Sequence, residues 1–209
     1  MKKILTFLGD VHGKFKQLPT PLIYEKMNET IIQVGDMGIG FGAKNETKLR
    51  LERPNFYFIR GNHDNPARCK KYKSYLGDFG FLEEFNLFFF GGAHSIDQAY
   101  RTEGVDWWPS EEQSIEECHK ALDAYEKAKP EIVVSHDGPS SLFSKDAPMS
   151  IRNFQSSRTS QVLQDMLEIH APKLWVFGHH HTGKTFFYNK CLFRCLGELQ
   201  KHTSPIVDF

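Results

Sequence analysis

The residues of this chain able to do chemistry fall in five short clusters: Asp10-Val11-His12, Gly35-Asp36, Gly61-Asn62-His63-Asp64, His136, and Gly178-His179-His180-His181. They supply the carboxylates of Asp10 and Asp36, the amide of Asn62 and a set of imidazoles. Two adjacent divalent cations need such a set, and an apolar core has no use for it. A carboxylate can also bridge two cations, which a neutral imidazole cannot readily do. Mixed oxygen and imidazole ligation suits manganese, iron, zinc, cobalt or nickel. It disfavours calcium and an all-thiolate zinc site. Hydrolysis of a phosphoester is the chemistry such a pair of cations serves.

Each cluster alone says less than the set. In an extended segment residues two apart point the same way, so Asp10 and His12 are expected to face one cation. Asn62 offers a neutral oxygen. His63 titrates near working pH and can donate a proton, and Asp64 is expected to orient it and favour its protonated form. A turn would explain Asn62 and Asp64, but it leaves His63 and the other clusters unexplained. A lone histidine at a strand end, such as His136, is more often structural. Three consecutive histidines are costly to bury without partners, and a histidine tract flanked by glycines is a metal signal. Arg60 and Arg101 are candidates to clamp phosphate through paired hydrogen bonds. Arg60 is preferred because it abuts the site. Trp107-Trp108 could stack on a leaving group, but a pair covering the fold is the preferred reading.

The elements that must position these residues are short apolar runs ended by glycine or a turn. Ile4 to Leu8, Thr30 to Val34, Asn55 to Ile59, Leu87 to Phe90, Ile132 to Val134 and Leu174 to Phe177 read as buried strands. Thr185 to Tyr188 and Leu192 to Leu196 flank Asn189-Lys190 as a hairpin. Ser110 to Gln113 fits a capping box ahead of a helix carrying Ile115, Cys118, Leu122 and Tyr125, stopped by Pro130. A second helix begins near Thr159 or Ser160, buries Val162, Leu163, Met166 and Leu167, and stops at Pro172. Weaker helical patterns lie near Phe15 to Tyr24 and Lys44 to Leu51. Strands interleaved with helices argue for α/β layers, with the polar clusters meeting at the carboxyl ends of the strands, where open α/β sheets bind ligands.

Composition narrows the classes. At 209 residues one domain spanning 1–209 is the default. The 26 Lys and Arg balance the 26 Asp and Glu, so a strongly basic surface is absent and nucleic acid is not the expected partner. Cys69, Cys118, Cys191 and Cys195 form neither a metal-like pair of pairs nor a disulfide scaffold. The apolar run after Met1-Lys2-Lys3 stops at Gly9-Asp10, too soon for a signal peptide. No stretch approaches the roughly 20 apolar residues of a membrane span, and a cytoplasmic location is expected.

The ordered set Asp10-x-His12, Gly35-Asp36, Gly61-Asn62-His63-Asp64, His136 and Gly178-His179-x-His181 resembles the calcineurin-like metallophosphoesterase superfamily. The resemblance implies a four-layered α/β/β/α sandwich with two facing mixed sheets. It implies that Asp10, His12, Asp36 and His181 hold one metal, and that Asp36, Asn62, His136 and His179 hold the other, with Asp36 bridging. It further implies that His63 is the acid near the leaving group. Gly9-Asp10-Val11-His12-Gly13 and Arg60 resemble the protein Ser/Thr phosphatases. Ile39-Gly40 stands where those have Asp-Arg. Gly91-Gly92-Ala93-His94-Ser95-Ile96-Asp97, with Arg101 and Trp107-Trp108, is similar to small bacterial and bacteriophage members.

The resulting expectation is a hydrolase with two divalent cations, manganese first and iron, zinc, cobalt, nickel or magnesium after it. A metal-activated hydroxide would attack phosphorus, with His63, Asp64 and Arg60 as catalytic groups. Small phosphomonoesters or phosphodiesters, nucleotides among them, are the expected substrates. A phosphoprotein phosphatase is the alternative, and a metal-poor scaffold that binds partner proteins comes last.

Overall fold

The computed structural model describes residues 4–18, 29–42 and 54–205. The helix expected over Lys44 to Leu51 lies outside the described residues, as do Met1 to Lys3. Of the one expected near Phe15 to Tyr24, only the 3₁₀ turn Phe15–Gln17 is described, with residues from 19 onward outside.

Among the described residues ten strands form two sheets. Strands β1 (Ile4–Leu8), β2 (Glu29–Gln33) and β3 (Phe56–Phe58) run parallel, and β10 (Lys201–Pro205) pairs antiparallel to β1. The second sheet has the order β4-β5-β6-β7-β9-β8. Its members are β4 (Phe79–Leu82), β5 (Leu87–Phe90), β6 (Ile132–Ser135), β7 (Leu174–Phe177), β8 (Thr185–Tyr188) and β9 (Cys191–Cys195). Here β5, β6, β7 and β9 are parallel, with β4 and β8 antiparallel at the edges. Both sheets are mixed, in agreement with the layered α/β sandwich read from the sequence.

Alternation along the strands sorts the core into layers. Leu5, Phe7, Ile32 and Val34 of the first sheet meet Leu87, Phe89, Val134 and Val176 of the second between the two. Phe88, Phe90, Val133, Trp175 and Phe177 point the other way, under helices α1 (Ile115–Ala128) and α2 (Arg158–Ile169). Leu8, Ile31, Phe56 and Phe58 face outward from the first sheet with Phe15, Leu18 and Cys69. All four cysteines are buried free thiols, Cys191 and Cys195 on one face of β9 in the helix-covered core.

Two strands lie outside the sequence expectation, for different reasons. In β4 the run Phe79-Gly80-Phe81-Leu82 is an edge strand interrupted by glycine, only half buried. Strand β10, Lys201-His202-Thr203-Ser204-Pro205, is polar and carries no apolar signal. It is recruited by pairing, with Thr203 beside Thr6 at 3.0 Å. The hairpin turn matches its expectation: Asn189 and Lys190 have φ of 44° and 65°, as a type I′ turn requires.

Helix α1 begins one turn later than the sequence pattern suggests. The capping box is Ser114 with Glu117, not Ser110 with Gln113. Glu111 and Gln113 are buried and spend their side chains on Ser95 and Arg60 instead. Ile115 is consequently exposed, and Cys118, Ala121 and Tyr125 make the buried face. Helix α2 starts at Arg158 behind the Ser157 cap and buries the expected residues.

The two serines are a direct check of this register. Ser114→Ala should lower unfolding stability by about 1 kcal/mol, the usual value of an N-cap. Ser110→Ala should stay within about 0.5 kcal/mol of wild type. Equal losses in urea titrations would show that the helix starts at Ser110.

Candidate metal centre

The parallel strands of both sheets deliver their carboxyl ends to one rim. Asp10 and His12 follow β1, Asp36 follows β2, Asn62 and His63 follow β3, His136 follows β6, and His179 and His181 follow β7. The expected side chains therefore come together. Extended alternation is not what aims them, however: His12, Asp36, His179 and His181 all sit at positive φ, between 48° and 63°. Non-glycine residues rarely adopt this conformation. The chain thus turns sharply at the rim after β1, β2 and β7, whereas Asn62 and His136 reach it without a positive φ.

Two groups of donors match the expected ligand sets, beside two more formed by His12, Asp36 and His63 and by Asp137, His179 and His180. In the first, His181 Nε2 lies 2.7 Å from Asp10 Oδ2 and 3.0 Å from His12 Nε2. In the second, Asp36, His136 and His179 bring ligand atoms within 4.8 Å of one another. His136 Nε2 stands 3.3 Å from Asn62 Oδ1. Asp36 belongs to both neighbourhoods: Oδ2 is 3.8 Å from His12 Nε2, and Oδ1 is 3.2 Å from His136 Nε2. The ring of His136 is set by Val34, whose carbonyl lies 2.9 Å from Nδ1. A proton on Nδ1 leaves the Nε2 lone pair facing the cluster, the usual arrangement behind a metal-ligating histidine.

The electrostatics mark the same place. Burial pushes the Asp36 carboxyl up, but His136, His63 and His12 outweigh it and hold Asp36 well below the usual carboxylate range. Burial disfavours charge on His136, yet Asp36 and Asp10 raise its pKa. Burial takes His179 down to about 4, with His136 and His180 adding to the effect. His181 rises through its bond to Asp10.

These donors fit divalent cations. Asp10 and Asp36 are buried, and among the described residues their ion pairs come from histidines alone. Imidazole lone pairs packed around two buried carboxylates need positive charge between them, from protons or from metal ions. Asp10, His12, Asp36 and His181 could hold one cation, and Asp36, Asn62, His136 and His179 a second.

His63 stands at the edge of this cluster. Its ring stacks on Phe41, with centroids 4.4 Å apart and planes within 3°. Its Nε2 is 2.8 Å from Arg101 Nη2. Burial, with Arg101 and His12 adding to it, lowers its pKa to about 4. Trp108 is buried with its ring 6.2 Å from Phe41.

Two expected roles are corrected by the geometry. Asp64 does not orient His63. Its carboxylate accepts the backbone N–H groups of Met37, Gly38, Ile39 and Gly61 at 2.8–3.1 Å, so it ties the loop after β2 to the loop after β3. Arg60 is not a phosphate clamp. Its buried guanidinium donates to Asp78 at 2.7 Å, to the Glu111 carbonyl and to Gln113 at 2.8 Å. The arginine at the site is Arg101, which also pairs with Asp97 at 2.7 Å.

Other residues brace the site, and sequence reasoning passes over Asp137, Phe41 and Glu111 among them. His180 pairs with Asp137 at 2.9 Å and packs on Phe143, bracing the histidine tract. Asp137, directly after His136, is a readable signal. Phe41 and Glu111 are not, because nothing in their local sequence points to a site, whereas Ser95 lies within the Gly91 to Asp97 segment that is similar to small bacterial and bacteriophage members.

Similarity to known proteins agrees with this geometry. A family model described as calcineurin-like phosphoesterase matches residues 4–183. Among solved structures, TT1561 of Thermus thermophilus is 12% identical, with a TM-score of 0.54 over 99% of this chain and 100% of that one. A candidate 5′-nucleotidase from Staphylococcus aureus, solved with alpha-ketoglutarate, is 12% identical, with a TM-score of 0.56 over 97% of this chain and 51% of that one. GAP50, the anchor in the inner membrane complex of Plasmodium, is 13% identical, with a TM-score of 0.50 over 94% of this chain and 72% of that one. At these identities the three share the fold. No curated protein matches the sequence significantly. Among the described residues no helix is long and apolar enough to cross a membrane.

The corrected role of Arg60 has a measurable consequence. Arg60→Met removes a buried charge and leaves Asp78 and Gln113 short of a partner, a change of on the order of 3 kcal/mol in stability. Turnover per folded molecule at saturating manganese should stay within about threefold, well under the loss usual for a charge-stabilising donor. A stable variant with a large loss in kcat would return Arg60 to the reacting groups.

Proposed function

The chain belongs to the calcineurin-like phosphoesterase family, and on that premise we propose that it hydrolyses small phosphomonoesters or phosphodiesters, nucleotides among them, at two divalent cations. The carrying observation is the placement of Asp36, whose two oxygens face separate groups of donors. Mixed oxygen and imidazole ligands with no thiolate suit manganese, iron, zinc, cobalt or nickel, and manganese is the first of these to try. Bound there, the two cations would activate a water and polarise the phosphoryl oxygens.

The chain's own groups complete the reaction. Arg101 can only donate hydrogen bonds, so His63 Nε2 is the acceptor of their 2.8 Å contact. A phosphoryl oxygen is a stronger acceptor for a guanidinium than a neutral imidazole. Substrate would therefore draw Arg101 toward the transferring group and release His63 Nε2. Once Arg101, one of the groups that lower its pKa, has moved off, His63, held flat against Phe41, would take up a proton at Nε2 from solvent and pass it to the departing alkoxide. Asp64 serves indirectly by fixing the loops that carry Asp36 and His63. The phosphoprotein alternative draws on Arg60 at the site, and the buried position of that side chain removes this support.

Asp36→Asn tests the two-cation reading. It should take up fewer manganese ions than wild type and lose nearly all turnover. Wild-type rate and stoichiometry at saturating manganese would mean that Asp36 is not shared.

The roles of His63 and Arg101 separate by leaving group. His63→Ala should slow esters with poor leaving groups by about 10²–10⁴-fold, the usual range for general acid catalysis. Activated aryl phosphates should slow far less. Arg101→Ala should affect both substrate types alike, because it acts on the phosphoryl group. Uniform slowing in His63→Ala, or loss of metal from it, would remove the general-acid assignment.

A further inference from the structure

The amide of Asn62 poses a question that the ligand set does not answer. A carboxamide presents an oxygen and an NH₂ group of nearly the same shape, and only the oxygen can face a cation. Some neighbour must decide which end points where.

That neighbour is Ser95, in the segment after β5. Asn62 Nδ2 donates to Ser95 Oγ at 3.0 Å. A hydroxyl can donate or accept, so Ser95 alone would not fix the amide. Glu111 settles the direction. Its carboxylate accepts the Ser95 hydroxyl at 2.6 Å and the Ser95 backbone N–H at 2.7 Å. With its one proton committed to Glu111, Ser95 Oγ has only lone pairs left for Asn62. The NH₂ end must turn to the serine, and Oδ1 is left facing His136 Nε2.

We propose that Glu111, acting through Ser95, is the positioning residue that aims the Asn62 oxygen at the second cation position and so sets that position's affinity. The inference rests on the two-cation reading of the site. Asn62, Ser95 and Glu111 are all buried, so water is not at hand to replace a lost partner. The arm that carries Glu111 is itself pinned. Arg60 donates to the Glu111 carbonyl and to Gln113, while its own carbonyl accepts from the Gly92 N–H at 2.7 Å. Gly92 is at φ 91°, and a Cβ there would overlap the Glu111 carbonyl. Three segments distant in sequence thus lock at one point, and the relay to Asn62 leaves from it.

Manganese titrations of the metal-free protein, followed by calorimetry, test this without reference to turnover. Wild type should take up two ions. Ser95→Ala should weaken one of the two binding steps by about 10–100-fold, the usual effect of removing a group that orients a ligand, and leave the other step alone. Ser95→Thr, which keeps the hydroxyl, should restore it. Glu111→Gln should weaken the same step, because its amide N–H would donate to Ser95 Oγ and turn the hydroxyl proton toward Asn62. In the Asn62→Asp background both ends of the side chain are oxygens, so Ser95→Ala should no longer weaken that step. An equal loss in both backgrounds would assign Ser95 to packing and overturn the proposal. Wild-type uptake by Ser95→Ala overturns it alone, whereas fewer than two ions in wild type overturns the two-cation reading with it. Should Glu111→Gln fail to fold, the Ser95 pair decides the matter.

Discussion

Two carboxylates, Asp10 and Asp36, are buried at a rim where two sheets meet, with only histidines to compensate them among the described residues. The rest of the rim follows from that. Asp10 comes from the first sheet and accepts the His179 N–H and the His181 ring from the second. Asp36 also comes from the first sheet and faces His136 from the second. Apolar contact joins the sheets over most of their depth, while this end is joined by charge and hydrogen bonds. A charge so buried is costly unless matched. The chain matches it with groups that can yield to a stronger cation.

Space at the rim is as constrained as charge. A Cβ on Gly61 would overlap Asp36 Oδ1, and one on Gly178 would overlap Asp10 Oδ1. The glycines that end the strands are therefore places where a carboxylate presses against backbone. They also read in the sequence as simple strand terminators. That double meaning explains why the site is so legible. The same residues stop the strand, clear the space and precede the ligand, so runs such as Phe177-Gly178-His179 carry fold and chemistry together.

What the sequence does not yield is direction and long-range partnership. Arg60 precedes Gly61-Asn62-His63 and by that place should reach phosphate. It points instead into the junction with Asp78, Glu111 and Gln113. Arg101, some 40 residues on, is the one that reaches His63. Adjacency in sequence is a poor guide here: alternation would put Arg60 on the side of Asn62, but the chain turns at Asn62-His63 and each side chain follows its own partners. The capping box fails for a related reason. Ser110 to Gln113 has the right letters, but tertiary contacts claim Glu111 and Gln113 first. Strand β10 has no readable pattern, since the free edge of β1 creates it.

Loading with cations and stability of the fold are coupled on this reading. A ligand that binds only the folded chain stabilises it by mass action, by roughly 2.7 kcal/mol at a hundredfold excess over Kd. The groups that would hold the cations also cross-link the two sheets, so an empty rim keeps its repulsion between lone pairs and relies on protons for relief. Protons and metal ions compete for the same positions, because imidazole must be neutral to ligate. Asp36 and Asp10 raise the pKa of His136, and Asp10 raises that of His181, so both are positions of that competition. The buried relay from Glu111 through Ser95 bears on the same balance from behind. It adds no charge to the cluster and fixes only which end of a neutral amide the cation meets.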